Sequence, residues 1–216
     1  MRNVLLLLSA FILTTAAVAV ATGSEHEVGG PPVRGHTVPF WPEKPAMRFQ
    51  CLWLKAEIAE KGPVVRIDFS FKQYIGTPPS TFNGCKILLC HTTVSKIGVN
   101  FKSNYGGKEP VEVFSGKFVV PAGLNENDWF LVVAPKAFTF NNTNNLLMEV
   151  VYTGASGGQE NRFWIADTDQ PGRVRAFSAT AINGTVLANQ GQVAKITIGS
   201  PAVEPTSLGR VRALFR

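Results

Sequence analysis

With 216 residues, 45% hydrophobic and 17% charged, and a formal net charge of +6, the chain is long enough for one large domain with a real core and is only modestly basic. Three of the positive charges, Arg210, Arg212 and Arg216, fall at the extreme C-terminus, and the body holds no Lys/Arg cluster. That distribution argues against a nucleic-acid binder, which needs a basic face with interleaved aromatics.

Residues 1–21 read as a targeting segment: Arg2 supplies the positive start, residues 4–13 are apolar except for Ser9, and Ala19-Val20-Ala21 offers a small-x-small cleavage pattern. An uncleaved anchor would need about 20 apolar residues, whereas this end is rich in alanine and threonine and runs at once into Thr22-Gly23-Ser24-Glu25. Loss of Arg2 would lower the net charge from +6 to +5. No later stretch is long and apolar enough to span a bilayer, so the expected location is extracellular or at the cell surface. Residues 22–46, rich in proline and glycine, predict an exposed linker or loosely held arm. Its histidines, His26 and His36, lack Cys or carboxylate partners at metal-ligand spacing and read as solvated.

The folded region is expected over residues 47–199. Residues 64–72 alternate cleanly, with Val65, Ile67, Phe69 and Phe71 on one side and Arg66, Asp68, Ser70 and Lys72 on the other. Further strands are predicted at 49–54, 85–92, 111–115, 129–134, 146–152, 162–166, 173–178 and 192–198, with 55–61 as a helical turn. Many short strands between loops of Gly, Asn, Pro and Ser predict an all-β, two-sheet antiparallel β-sandwich, jelly-roll-like in topology. Residues 138–154 show the pattern well: an aromatic alternation, the polar corner Asn141-Asn142-Thr143-Asn144-Asn145, then an apolar strand closing on Gly154. Ile67, Phe69, Phe71, Leu147 and Val151 are expected in one core cluster.

Arg48-Phe49-Gln50, residues 67–71, residues 86–93, Asn100-Phe101 with Asn104-Tyr105-Gly106, residues 111–116 and residues 145–150 occur in an order that resembles a family of exported bacterial β-sandwich surface proteins. Many of these come from planctomycetes and uncultured phyla, and they carry anchor-type C-termini. The resemblance covers residues 47–178, rests on structural motifs rather than catalytic ones, and implies the fold and export. Where that family tends to have Ser, this chain has Cys90, which speaks against a family-wide disulfide there.

Three cysteines cannot all pair within the chain. Cys85 and Cys90 lie five apart on one predicted strand, so they face opposite sides about 16 Å apart, beyond disulfide reach. Cys51 could reach one of them if its strand lies alongside; otherwise all three are buried free thiols. No catalytic constellation is visible. Cys90 and His91 are adjacent on a strand and diverge, His91 reads as a packed structural residue, and Asp128, Glu149, Asp167 and Asp169 show no pairing that would mark glycosidase carboxylates. The chain therefore reads as a non-enzyme.

Tyr105 and Trp129, with Trp41, are the candidate exposed aromatics for stacking a polysaccharide, whereas Trp53 and Trp164 read as core. Asp167 and Asp169 could hold Ca²⁺ through hard oxygen ligands, or simply form an Asx turn. Asn141-Asn142-Thr143 and Asn183-Gly184-Thr185 match a glycosylation pattern and read as turns. Residues 200–216 separate from the sandwich. There Leu208, Val211, Leu214 and Phe215 recur at helical spacing with Arg210, Arg212 and Arg216 between them, a basic amphipathic tail suited to an acidic partner, a membrane surface or a neighbouring subunit. The function expected is a secreted or cell-surface structural or adhesive module that assembles with copies of itself or other surface proteins. The alternative is a carbohydrate-binding module.

Overall fold

Alternation along one long strand sets the inner face of the first sheet. In the computed structural model, which describes residues 23–75, 79–135, 137–157 and 160–199, Ile67, Phe69 and Phe71 point inward with no or almost no exposure. Val64, not Val65, takes the next inward slot. The ladder shifts register there, with Val64 opposite Ile198 but Arg66 opposite Thr197, so a bulge at Val65 breaks the simple period of two.

The elements in chain order are β1 (Gly23–Val28), β2 (Arg34–His36), β3 (Met47–Trp53), the single helical turn α1 (Lys55–Ile58), β4 (Gly62–Ile75), β5 (Ser80–Thr92), β6 (Val111–Val120), β7 (Trp129–Val133), β8 (Thr139–Phe140), β9 (Asn145–Tyr152), β10 (Gly154–Ser156), β11 (Glu160–Asp167), β12 (Arg173–Ala176), β13 (Thr185–Leu187), β14 (Gln190–Gln192) and β15 (Ala194–Gly199). Two antiparallel sheets pack face to face. The first runs β1-β15-β4-β11-β14, with β7 and β8 on β4 and β2 on β11; the second runs β10-β5-β9-β3-β12-β13, with β6 on β5. The chain passes repeatedly from one sheet to the other, building the two-sheet antiparallel sandwich expected. Phenylalanine rings fill the space between the sheets: Phe40 stacks on Phe118 at 4.3 Å and meets Phe82 and Phe163 at 5.4 and 5.9 Å.

Residues 23–45 do not form a free arm. Their β1 extends the first sheet from Gly23 opposite Gly199 to Val28 opposite Ala194, β2 pairs with β11, and Val38 and Phe40 are fully buried. Proline and glycine here serve close turns and a strand crossing between sheets, which composition alone does not separate from a linker. His26 is not simply solvated either, since its ring bonds Glu60 at 3.0 Å. His36 is half-buried, and burial together with the charges of Arg173, Arg175, Arg162 and Arg34 pushes its pKa down to about 3.

β9 departs from the expected single core cluster of Ile67, Phe69, Phe71, Leu147 and Val151. Leu146, Met148, Val150 and Tyr152 face the main core, while Leu147 belongs to a separate cluster on the outer face and Val151 is half-buried. Both faces of β9 are covered, so its run of apolar residues carries no clear parity. The outer cover is the segment 93–110, which lays Ile97, Phe101 and Tyr105 over Leu52, Cys90, Leu147 and Val174. Backbone bonds from Ile97 to Pro171 (2.8 Å), Phe101 to Ile182 (3.1 Å) and Gly184 to Val99 (2.8 Å) fasten this strap to neighbouring loops.

Candidate functional site

Under the strap, on the outer face of the second sheet, lies a polar network. Gln50 and Arg48 are two apart on β3 and share this outward face with Glu149 of β9, directly opposite Gln50. Glu149 is buried and accepts four bonds. Arg48 donates from Nε (3.1 Å) and Nη2 (3.2 Å), Gln50 from Nε2 (2.6 Å) and Tyr105 from its hydroxyl (2.8 Å). Gln50 also reaches the Phe101 carbonyl (3.1 Å), and its own carbonyl oxygen accepts from the Asn104 amide (2.9 Å). The Arg48 guanidinium lies 4.7 Å from the centre of the Phe101 ring and donates to the Ala181 carbonyl at 2.9 Å.

The network shifts two of its titratable members, Arg48 and Tyr105. Burial acts to lower the Arg48 pKa, but the charge and hydrogen bonds of Glu149 outweigh it and hold the guanidinium above its ordinary value. Burial, and then the Glu149 carboxylate, push the Tyr105 phenol well up, so it remains a donor at neutral pH. A carboxylate whose oxygens are already occupied by four donors is poorly placed to move a proton to a substrate. The arrangement pins the strap to the sheet.

Above the network opens a cleft of about 490 Å³, with Arg48 and Tyr105 among its lining and Lys102, Lys108, Pro110 and Ile182 around it. A second cleft, of about 350 Å³, shares Lys108 and Glu109 and contains His91. The His91 ring packs 4.8 Å from Phe138, and its Nε2 accepts the Asn141 N–H at 3.3 Å. Burial lowers its pKa, opposed by a backbone bond at Thr139.

The sequence-predicted site residues do not converge. Tyr105 is buried, its hydroxyl committed to Glu149, rather than an exposed stacking ring. Trp129 is half-buried on the first sheet with the Lys195 ammonium 4.8 Å from its ring centre; it lines a different pocket, of about 410 Å³, with Arg66, Asp68 and Leu131. Trp164 is half-buried rather than core, lying under Lys72 at 3.7 Å. Its neighbours Phe163 and Ile165 take the inward positions, so parity places Trp164 on the outer face.

Asp167 is exposed and paired with Arg34 at 2.9 Å, while Asp169 lines a third cleft beside Thr168 and Gln170. Among the described residues no three His, Cys, Asp or Glu side chains gather into a metal-holding group. All three cysteines are free and buried, with Cys85 in the main core and Cys90 in the outer cluster, on opposite faces as expected. Burial drives the Cys85 and Cys90 thiols up to about 12 and about 11. Leu208, Arg210, Val211, Arg212, Leu214, Phe215 and Arg216, like the 1–21 segment, lie outside the described residues.

Two groupings were not foreseen. One is the Glu149 network. Arg48, Gln50, Phe101, Asn104 and Tyr105, far apart in the chain, meet there. The other is a rim cluster where Trp41 meets Phe177 edge-on at 5.5 Å between ring centres, with Lys44 and Arg175 against both rings. No spacing rule joins residue 41 to residue 177, so only the fold could bring them together. No family model, curated protein or solved structure matches the chain.

Proposed function

We propose that the protein is an exported, secreted or cell-surface β-sandwich that works as a non-enzymatic structural or adhesive module and associates with copies of itself through the free edge of β6. The apolar run and cleavage pattern of residues 1–21 support export. The observation that carries the association is the edge itself. β6 is ten residues long and, among the described residues, pairs only with β5, which leaves its outer row of backbone donors and acceptors open to another strand. Val111 and Val119 are 44% and 41% exposed, and Glu112 and Lys117 are its only charged residues. Proline stands just outside each end, at Pro110 and Pro121, so the docking length is set by the strand. Two register shifts against β5 twist this edge and would select a partner of matching shape.

Light scattering on the chain from residue 22 onward tests the reading. A mass at least twice that of the monomer is expected, falling to the monomer in the Val111→Lys/Val119→Lys variant while the melting temperature stays the same. A wild-type protein that remains monomeric at high concentration defeats the proposal.

A further inference from the structure

The rim cluster of Trp41, Lys44, Arg175 and Phe177 is an unassigned surface with a defined chemistry. Trp41 is held by its backbone, its carbonyl accepting from the Tyr152 hydroxyl at 2.9 Å and from the Lys44 N–H at 3.1 Å. Pro42 between them is buried, so the turn that presents Trp41 and Lys44 is anchored in the domain. Phe177 follows β12 and is 47% exposed. The Lys44 ammonium lies 4.8 Å from the Trp41 ring centre and 5.0 Å from that of Phe177. The Arg175 guanidinium lies 5.7 and 5.0 Å from the same two centres.

The charge around this cluster is unevenly compensated. Nearby Arg34 is paired with Asp167 and Arg162 with Glu160, at 2.9 and 2.8 Å. Arg173 is wholly buried and bonded to the Val38 carbonyl and the Gln190 side chain. Among the described residues, no ion pair involves Lys44 or Arg175. Among the described residues, two cations without an ion-pair partner therefore stand beside the exposed Phe177 ring, Lys44 on a fixed turn and Arg175 on β12.

We propose that this rim binds an anionic polysaccharide bearing hexuronate residues, with the carboxylate on Lys44 and Arg175 and the C–H face of the sugar on Phe177. A carboxylate between an ammonium and a guanidinium makes charge-assisted bonds, and the ring supplies the flat apolar contact that a pyranose face needs. A nucleic acid would need a longer run of phosphate contacts than two cations provide. An acidic peptide offers a carboxylate without a flat partner for Phe177. The inference rests on the adhesive, extracellular reading and names the substance adhered to.

Binding of polygalacturonate is measured by calorimetry and by retention in affinity gels, alongside fully methyl-esterified polygalacturonate, polyglutamate and single-stranded DNA. The expected result is binding of the acid polymer, loss of binding to the ester, and much weaker binding of the other two polyanions. Phe177→Ala, Lys44→Gln and Arg175→Gln should each weaken it about fivefold to thirtyfold, the loss of one good contact, while Lys102→Gln in the cleft above the Glu149 network leaves it unchanged. Phe177 is exposed, so its variant should keep the wild-type melting temperature and test the site without unfolding. No binding, equal binding of the ester or of polyglutamate or DNA, or indifference to Phe177→Ala overturns the proposal. The same titration on Val111→Lys/Val119→Lys keeps the two readings apart, since that variant should bind the polymer whether or not it self-associates.

Discussion

Glu149 takes a negative charge beneath the strap, and its stability there depends on the company it keeps. Removing one partner of such a pair is costlier than removing both, because the survivor is left charged or unbonded in a poorly hydrated place. Glu149→Leu strips the acceptor from Arg48, Gln50 and Tyr105 together. The expected loss is about 3–5 kcal/mol, the usual cost of breaking a buried pair. The double variant Arg48→Met/Glu149→Leu removes the stranded guanidinium and should recover part of that loss. Urea midpoints of the two single variants and the double one check this. A double variant as unstable as the sum of its parts would mean that the charges act independently. In the sequence, Glu149 stood only among carboxylates with no visible pairing, because its partners lie 44 to 101 residues away.

At the scale of elements, the strap 93–110 decides which faces are dry. Period-two alternation correctly placed Ile67, Phe69 and Phe71 because polar side chains hold the opposite face of β4 in that stretch, although Asp68 and Ser70 there are buried and only Arg66 and Lys72 reach solvent. The same logic misplaced Leu147 and Val151 because the strap makes the outer face of β9 dry as well, and a loop with no apolar periodicity gives no sign of where it will lie. Its conformation can be tested through two neighbouring glycines. Gly106 has φ +62°, and a Cβ there would sit 2.7 Å from Thr93 Oγ1 and 3.0 Å from Thr92 Oγ1; Gly107 has φ +76° and open space around it. Gly107→Ala should cost about 1–2 kcal/mol for left-handed backbone alone, and Gly106→Ala should cost more because Thr92 and Thr93 must also shift. Hydrogen exchange at the Ile97 and Phe101 amides, which hold the strap down, should accelerate further in Gly106→Ala. Equal effects at both positions would show that the strap is not packed against Thr92 and Thr93 as described.

For the whole molecule, the sharpest consequence is that the domain begins before the first strand that periodicity reveals. Residues 23–45 contribute the edge strand β1, the short strand β2 and the core residues Val38 and Phe40. They were illegible in the sequence because a chain that crosses between sheets in short hops uses the same prolines and glycines as a linker. Removing them opens β15 along its whole length and leaves a hole where Phe40 met four other phenylalanine rings. It also takes the Val38 carbonyl from Arg173 and the Trp41 carbonyl from Tyr152. Burial already pushes the Arg173 guanidinium down to about 9, so losing a carbonyl acceptor leaves an inner charge still less supported. The Phe40 void alone should cost about 3–5 kcal/mol, against a total of about 5–15 kcal/mol for an ordinary domain. A chain starting at residue 22 should therefore unfold cooperatively with a well-developed near-ultraviolet circular dichroism signal. One starting at Met47 should lose that signal and melt without a sharp transition. If the Met47 chain instead melts sharply within a few degrees of the longer one, residues 23–45 are an accessory to the sandwich and not part of its core.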